Sequence, residues 1–251
     1  MIPMNTDLRK YLQQNHSKLS WEERIQITVY IVRSLKRIHD ENAIHRDLHS
    51  GNILHSPRTY CWYISDLGFC GPADKPLNNI YGNLPFIAPE VIAGKEYTFA
   101  TDIYSIGMLM WEISSGQPPF VNFEHDYDLA IKIINGMRPK MVTETPLEYK
   151  KLMEQCWDAD PLRRPNIETL LTEMDKIYTY LQSTNEEQLT NIQLNTNVSI
   201  SSSIINSLVK NFNSKLYIFE GLPEPRNATE GKLFFKISNL YLLFFFYYLL
   251  K

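Results

Sequence analysis

Paired cysteines are missing from this sequence. Its three, Cys61, Cys70 and Cys156, lie far apart and form no CxxC pair, which argues against a disulfide framework or a cysteine-based zinc site and fits a reducing compartment. An excess of positive charge is also missing: 25 Lys and Arg against 28 Asp and Glu leave a formal net charge of -3. A nucleic-acid partner is therefore not expected, because affinity for a phosphate backbone needs clustered positive charge. The first twelve residues lack the basic, apolar and small-residue regions of a secretory leader, so a cytoplasmic location is expected. The apolar and aromatic run at 240–250 is cut short on its N-terminal side by Lys236, Ser238 and Asn239. It falls below the ~20 apolar residues of a membrane-crossing helix and reads as non-spanning. What is present, 44% hydrophobic and 21% charged residues, is ordinary for a globular protein.

Helical signals dominate the first 181 residues. Ser20-Trp21-Glu22-Glu23 reads as a capping box, and Ile25, Val29, Val32 and Leu35 follow it at helical spacing, with Ile27, Ile31 and Ile38 widening the stripe. Short strands are predicted at 52–55 and 60–64, separated by the turn residues Ser56-Pro57. Between 101 and 114 apolar residues fall all round the helical wheel, which places that helix at the centre of a domain; Gly116 and Pro118-Pro119 end it. Further helices are predicted at 127–135, 146–157 and 166–181, the second capped by Thr145 with Pro146 at its first position and Glu148 completing the box. From 182 to 214 the chain is rich in Ser, Asn, Thr and Gln and too poor in apolar residues to order itself. The expected division is a module over 1–181, mainly α (α+β), and a tail over 182–251.

The segment His45-Arg46-Asp47-Leu48-His49-Ser50-Gly51-Asn52-Ile53-Leu54 carries the chemistry. Asp47 and Asn52 lie in one loop before a predicted strand, and Asp66-Leu67-Gly68 follows the next strand. Two carboxylates and an amide could converge there. Phosphoryl transfer needs that combination: oxygen ligands for Mg²⁺ and a carboxylate to orient the attacking hydroxyl.

In order and spacing these segments resemble the HRDLxxxN catalytic loop and a variant DFG motif of eukaryotic-type protein kinases. Ala88-Pro89-Glu90 is similar to the APE motif, and the run from Asp102 to Gly107 to the DxxSxG start of the family's central helix. The segment Cys156-Trp157-Asp158-Ala159-Asp160-Pro161-Leu162-Arg163-Arg164-Pro165 is similar to the CWxxDPxxRP segment of tyrosine kinases and tyrosine-kinase-like kinases. The resemblance runs from Asn5 to about Leu181 and implies the kinase C-terminal lobe, with ATP and Mg²⁺ as cofactors and a protein as substrate. Asp47 would orient the acceptor hydroxyl, Asn52 and Asp66 would hold Mg²⁺, and Leu54 would lie beneath the adenine. Arg46 would pair with a phosphorylated activation segment, whose one hydroxyl is Tyr81. Glu90 would pair with Arg164, and Asp102 would hydrogen-bond the catalytic-loop backbone. His45 would pack in the core. His49 stands where many serine/threonine kinases carry a phosphate-contacting Lys; it is either a weaker phosphate contact or a surface residue.

Other features depart from the family. These 251 residues contain no Gly-rich loop, no VAIK-type lysine and no glutamate of the preceding helix. The N-terminal lobe is missing from the reading, and the polypeptide alone is expected to be inactive or nearly so, as a fragment or truncated product. Asn83 stands where serine/threonine kinases have Thr, yet the loop is not the RDLAAR type of dedicated tyrosine kinases, so the tyrosine-kinase-like group fits best. Two other readings stand beside transfer to a protein Ser, Thr or Tyr hydroxyl. One is a lobe-only pseudokinase that docks partners through the 127–135 helix; the other is a small-molecule phosphotransferase, against which Ala88-Pro89-Glu90 with Arg164-Pro165 speaks.

Overall fold

The computed structural model describes residues 6–73, 80–189, 213–219 and 221–228. The apolar run at 240–250 lies outside them. In chain order the elements are β1 (Thr6–Asp7), α1 (Leu8–Asn15), α2 (Trp21–Asp40), β2 (Ala43–Ile44), β3 (Ile53–Ser56), β4 (Cys61–Ile64), β5 (Gly71–Pro72), β6 (Ile80–Gly82), α3 (Pro89–Ile92), α4 (Phe99–Ser115), α5 (Tyr127–Ile134), α6 (Leu147–Cys156), α7 (Ile167–Leu189) and β7 (Lys215–Tyr217). The fold is mainly helical with small antiparallel sheets.

Helix α4 is the axis of the core. Every residue from Thr101 to Ser114 is buried, as a helix apolar on all sides must be. It stops at Gly116, whose φ of 72° closes the last turn by donating its N–H to the Glu112 carbonyl at 2.8 Å. Gly107 lets the end of α6 press against α4, since a Cβ there would sit 2.9 Å from the Cys156 Cβ. Helix α2 begins at its capping box, with the Glu23 amide donating to Ser20 Oγ at 3.2 Å and the Ser20 amide to Glu23 Oε2 at 2.7 Å. It buries Ile25, Val29, Val32 and Leu35, packing against α4, α7 and β4.

Two of the differences at helix ends have a clear physical cause. Helix α6 starts one residue later, with Pro146 itself as N-cap and no side-chain cap; the proposed Thr145 box does not form, because Pro146 takes an extended backbone (φ -54°, ψ 137°) rather than the first helical turn. Helix α7 runs on to Leu189 instead of ending at Leu181. Residues 182–189 contain neither Gly nor Pro, and Gln and Glu sustain a helix once it is nucleated.

The sheets bracket the loops that hold Asp47, Asn52 and Asp66. Strand β3 is central in a three-stranded sheet, pairing Leu54 with Asp7 of β1 and with Tyr63 of β4. Strands β2 and β5 pair Ile44 with Gly71. Strand β6 pairs with β7, so Ile80, Tyr81 and Gly82 face Tyr217, Leu216 and Lys215. Strand β7 belongs to the region the composition assigns to the tail. Residues 221–228 lie against the helical body as well: Arg226 donates its amide to the Ile134 carbonyl at 2.9 Å, and Asn227 Oδ1 accepts the Ala159 amide at 2.8 Å.

Candidate active site

The loop between β2 and β3 is fixed from below by α4. Asp102, buried in its first turn, accepts the His45 amide at 2.8 Å and the Arg46 amide at 3.0 Å, and its Oδ2 lies 2.9 Å from His39 Nε2. Those contacts hold Arg46 at φ 71°, a left-handed conformation that costs a non-glycine residue about 1–3 kcal/mol and persists only where the surroundings over-determine it. His45 is fully buried, accepting the Asp47 amide on Nδ1 (3.3 Å) and presenting Nε2 to the Ser65 carbonyl (3.1 Å). Both ring nitrogens are thereby used, so His45 links the loop to the end of β4 and is not available as a base.

Asp47 and Asn52 are closed into one unit. Asn52 Nδ2 donates to the Asp47 carbonyl at 2.9 Å, and the Asn52 carbonyl accepts both the amide (2.8 Å) and the hydroxyl (3.0 Å) of Ser65. Asp66 is thus tied to the loop through its neighbour. It stands exposed at φ 56°, a conformation Asp tolerates better than most residues. Burial pushes the Asp47 carboxyl above the usual carboxylate range; a hydrogen bond from Ser214 opposes the shift and the nearby Asp66 charge adds to it.

His49 is not a surface residue: it is only 6% exposed. Its Nδ1 accepts the Gly51 amide at 3.1 Å, which leaves the proton on Nε2. Burial, then Arg9 and His45, push its pKa down to about 3. The ring is therefore neutral at pH 7, and its Nε2, 3.7 Å from Asp47 Oδ1, forms no ion pair. The same Nε2 lies 3.0 Å from Ser214 Oγ, while Ser214 Oγ donates to Asp47 Oδ1 at 2.7 Å.

The remaining predicted residues surround this centre. Arg46 donates Nη2 to the Pro72 carbonyl at 2.9 Å and Nη1 to the Phe69 carbonyl at 3.4 Å, holding the segment that follows Asp66. Tyr81 stacks on Phe69 with ring centroids 3.7 Å apart, and its backbone is clasped by the Tyr97 hydroxyl, which donates to the Tyr81 carbonyl at 2.7 Å. Gly82 has a φ of 139°, and a Cβ there would lie 3.3 Å from Asp47 Oδ1. Glu90 and Arg164 form a buried two-pronged pair at 2.6 and 2.7 Å. Leu54 is half-buried on β3.

Sequence reasoning missed a second buried network beneath the loop. Ser50 Oγ donates to Glu112 Oε1 at 2.8 Å and accepts from Arg9 Nε at 3.1 Å. A lone carboxylate in the otherwise apolar stretch Trp111-Glu112-Ile113 was the available signal. Ser214 carried no signal, since it closes the Ser-, Asn-, Thr- and Gln-rich stretch 182–214 that reads as a tail.

A family model described as protein tyrosine and serine/threonine kinase matches residues 2–174. A human protein named dual serine/threonine and tyrosine protein kinase is 33% identical over 174 residues, covering 68% of this chain and 18% of that protein. Its Xenopus laevis namesake is 35% identical over 151 residues, 59% of this chain and 16% of that protein. A LIM domain-containing serine/threonine-protein kinase of Dictyostelium discoideum is 28% identical over 172 residues, 68% of this chain and 26% of that protein. The chain spans less than a fifth of the human and frog relatives. With the motifs and the loop geometry above, the match across residues 2–174 places this chain in the protein tyrosine and serine/threonine kinase family.

Proposed function

We propose that this protein transfers the γ-phosphate of ATP to a protein Ser, Thr or Tyr hydroxyl at the site built on Asp47. One observation carries the reading: the buried Asp47 carboxylate receives a hydroxyl hydrogen bond at 2.7 Å, the geometry required of a group that takes the acceptor proton. Raising a carboxyl toward the working pH favours that role. Asn52 and Asp66 fit Mg²⁺. The Asn52 NH₂ is spent on the Asp47 carbonyl, which leaves its amide oxygen as a donor to a cation, and Asp66, next to the Ser65 that bonds the Asn52 carbonyl, is an exposed carboxylate; Mg²⁺ takes such hard oxygen donors together with substrate phosphates. Bound Mg²⁺ and ATP would supply the phosphoryl group and neutralise its charge. Leu54 would meet the adenine, Arg46 and Tyr81 would set the activation segment, and Glu90, Asp102 and Arg164 would hold the frame. His49 would act on the acceptor hydroxyl.

The kinase module would occupy residues 1–181, with 182–251 as an appended segment. Cytoplasmic signalling, with docking partners on the helical lobe, completes the proposal; among the described residues no helix is long and apolar enough to cross a membrane. The names of the relatives favour catalysis over the scaffold reading. The test is phosphate transfer from ATP to arrayed Ser, Thr and Tyr peptides, by the 251-residue chain and by the longest natural product that contains it. Labelled peptides are expected from the longer product, with little or no label from the 251 residues alone, which hold no Gly-rich loop and no VAIK-type lysine; label on small alcohols but on no peptide would overturn the reading.

A further inference from the structure

The segment that reaches Asp47 belongs to the chain itself. Residues 213–219 cross the lobe beside the activation segment, with β7 antiparallel to β6, so that Ser214 lies one residue beyond the Lys215–Gly82 pair. The seating is specific in three ways. The Ser214 hydroxyl gives its proton to Asp47 Oδ1 at 2.7 Å and faces the His49 Nε2–H at 3.0 Å, so donor and acceptor sides are both engaged. Tyr217 is the anchor, 8% exposed, whereas Leu216 and Ile218 on either side are 55% and 77% exposed, the alternation of a strand added to a sheet edge. Beyond it, residues 221–228 clamp the chain in place: Glu224 reaches Lys95 at 2.6 Å and Asn227 bridges Ala159 and Asp158 at 2.8 Å each.

We propose that residues 213–219 are this chain's own acceptor segment, held as an intramolecular substrate, and that Ser214 is a phosphorylation site filled in cis. The inference rests on the kinase reading. In the step, Ser214 Oγ forms a bond to the γ-phosphorus of ATP, the bond from that phosphorus to the β,γ-bridging oxygen breaks, ADP leaves, and the hydroxyl proton passes to Asp47. While unmodified, the segment fills the groove an outside peptide would need. Once made, the phosphate carries about -1.5 to -2 charges beside Asp47 and drives the strand out by like-charge repulsion.

The test incubates the longest natural product that contains these residues with MgATP and casein together and maps phosphate by mass spectrometry. A tethered acceptor needs one turnover, so labelling is read as moles per mole. Hydrogen exchange at Ile80, Tyr81 and Gly82 is measured in parallel for wild type and for Tyr217→Asp. The expected result is phosphate on Ser214 at a rate unchanged by dilution, absent in Ser214→Ala. In Tyr217→Asp, Ser214 labelling should fall about tenfold or more as the effective concentration of the tethered strand is lost. Exchange at Ile80–Gly82 and labelling of casein should both rise in that variant. Casein labelled without Ser214, with exchange equal in the two proteins, would overturn the inference and leave the kinase reading standing. Label on neither would overturn the kinase reading, and the acceptor role with it.

Discussion

Asp47 and His49 lie side by side in a space where water is scarce, and each responds to burial by favouring its neutral form. For Asp47 this suits the base role proposed above; for His49 it keeps an N–H donor aimed at the Ser214 hydroxyl. The two leave opposite marks on stability. The folded pKa of His49, about 3, lies below its ordinary 6.5, so the unfolded chain binds the extra proton between those values and stability falls as pH drops through that window. The raised Asp47 carboxyl acts in the reverse sense, adding stability at low pH that is lost as pH rises through its folded value. Urea unfolding followed from pH 7 to pH 4 should show the acid loss, and His49→Gln should flatten it. An unchanged slope in that variant would place the acid sensitivity on other groups. Asp102→Ala strips two buried amides, those of His45 and Arg46, of their acceptor, each worth about 1–3 kcal/mol when left unsatisfied. That variant should lose several kcal/mol in the same assay, and with it the left-handed Arg46.

The elements show which contacts lock the loops to the helical body. Arg164 grips Glu90 at the start of α3 and also donates to the Ala100 and Asp158 carbonyls. Arg164→Met therefore leaves a buried carboxylate without its cation and should cost about 3–5 kcal/mol. Adding Glu90→Met should recover only part of this, because the two carbonyls stay unpaired; full recovery would show that the pair alone matters. Gly107→Ala should destabilise by about 1–3 kcal/mol through overpacking against Cys156 and Trp157. Much of this was legible in the sequence. The α2 capping box, the all-round apolar α4 and the Glu90–Arg164 pair all follow from local patterns or ordered motifs. The cap of α6 did not, because a Pro can serve either as N-cap or as first helical residue and only its backbone angles decide. Nor did the extent of α7, where a polar composition suggested an end that no breaker residue enforces.

At the scale of the whole molecule, a site assembled from distant parts of the chain was legible only where the motifs named its parts. Asp47, Asn52 and Asp66 stood out by spacing, whereas Arg9, Ser50 and Glu112 meet over 41 and 62 residues of sequence separation with no local sign that they would. Ser214 lies 167 residues from Asp47, and the polar stretch before it pointed to a solvated tail. Tertiary packing, not propensity, set these contacts. The central claim, that Asp47 takes the acceptor proton while Asn52 and Asp66 serve Mg²⁺ and ATP, separates two quantities that a general collapse of the site would move together. The most direct measurement compares Asp47→Asn with wild type, in the longest natural product containing these residues, for both MgATP affinity and the rate of phosphate transfer to peptide. Transfer should fall by about 10²–10⁴ with affinity for MgATP kept, since the group acts on the acceptor rather than the nucleotide. Transfer at the wild-type rate in that variant would contradict the account.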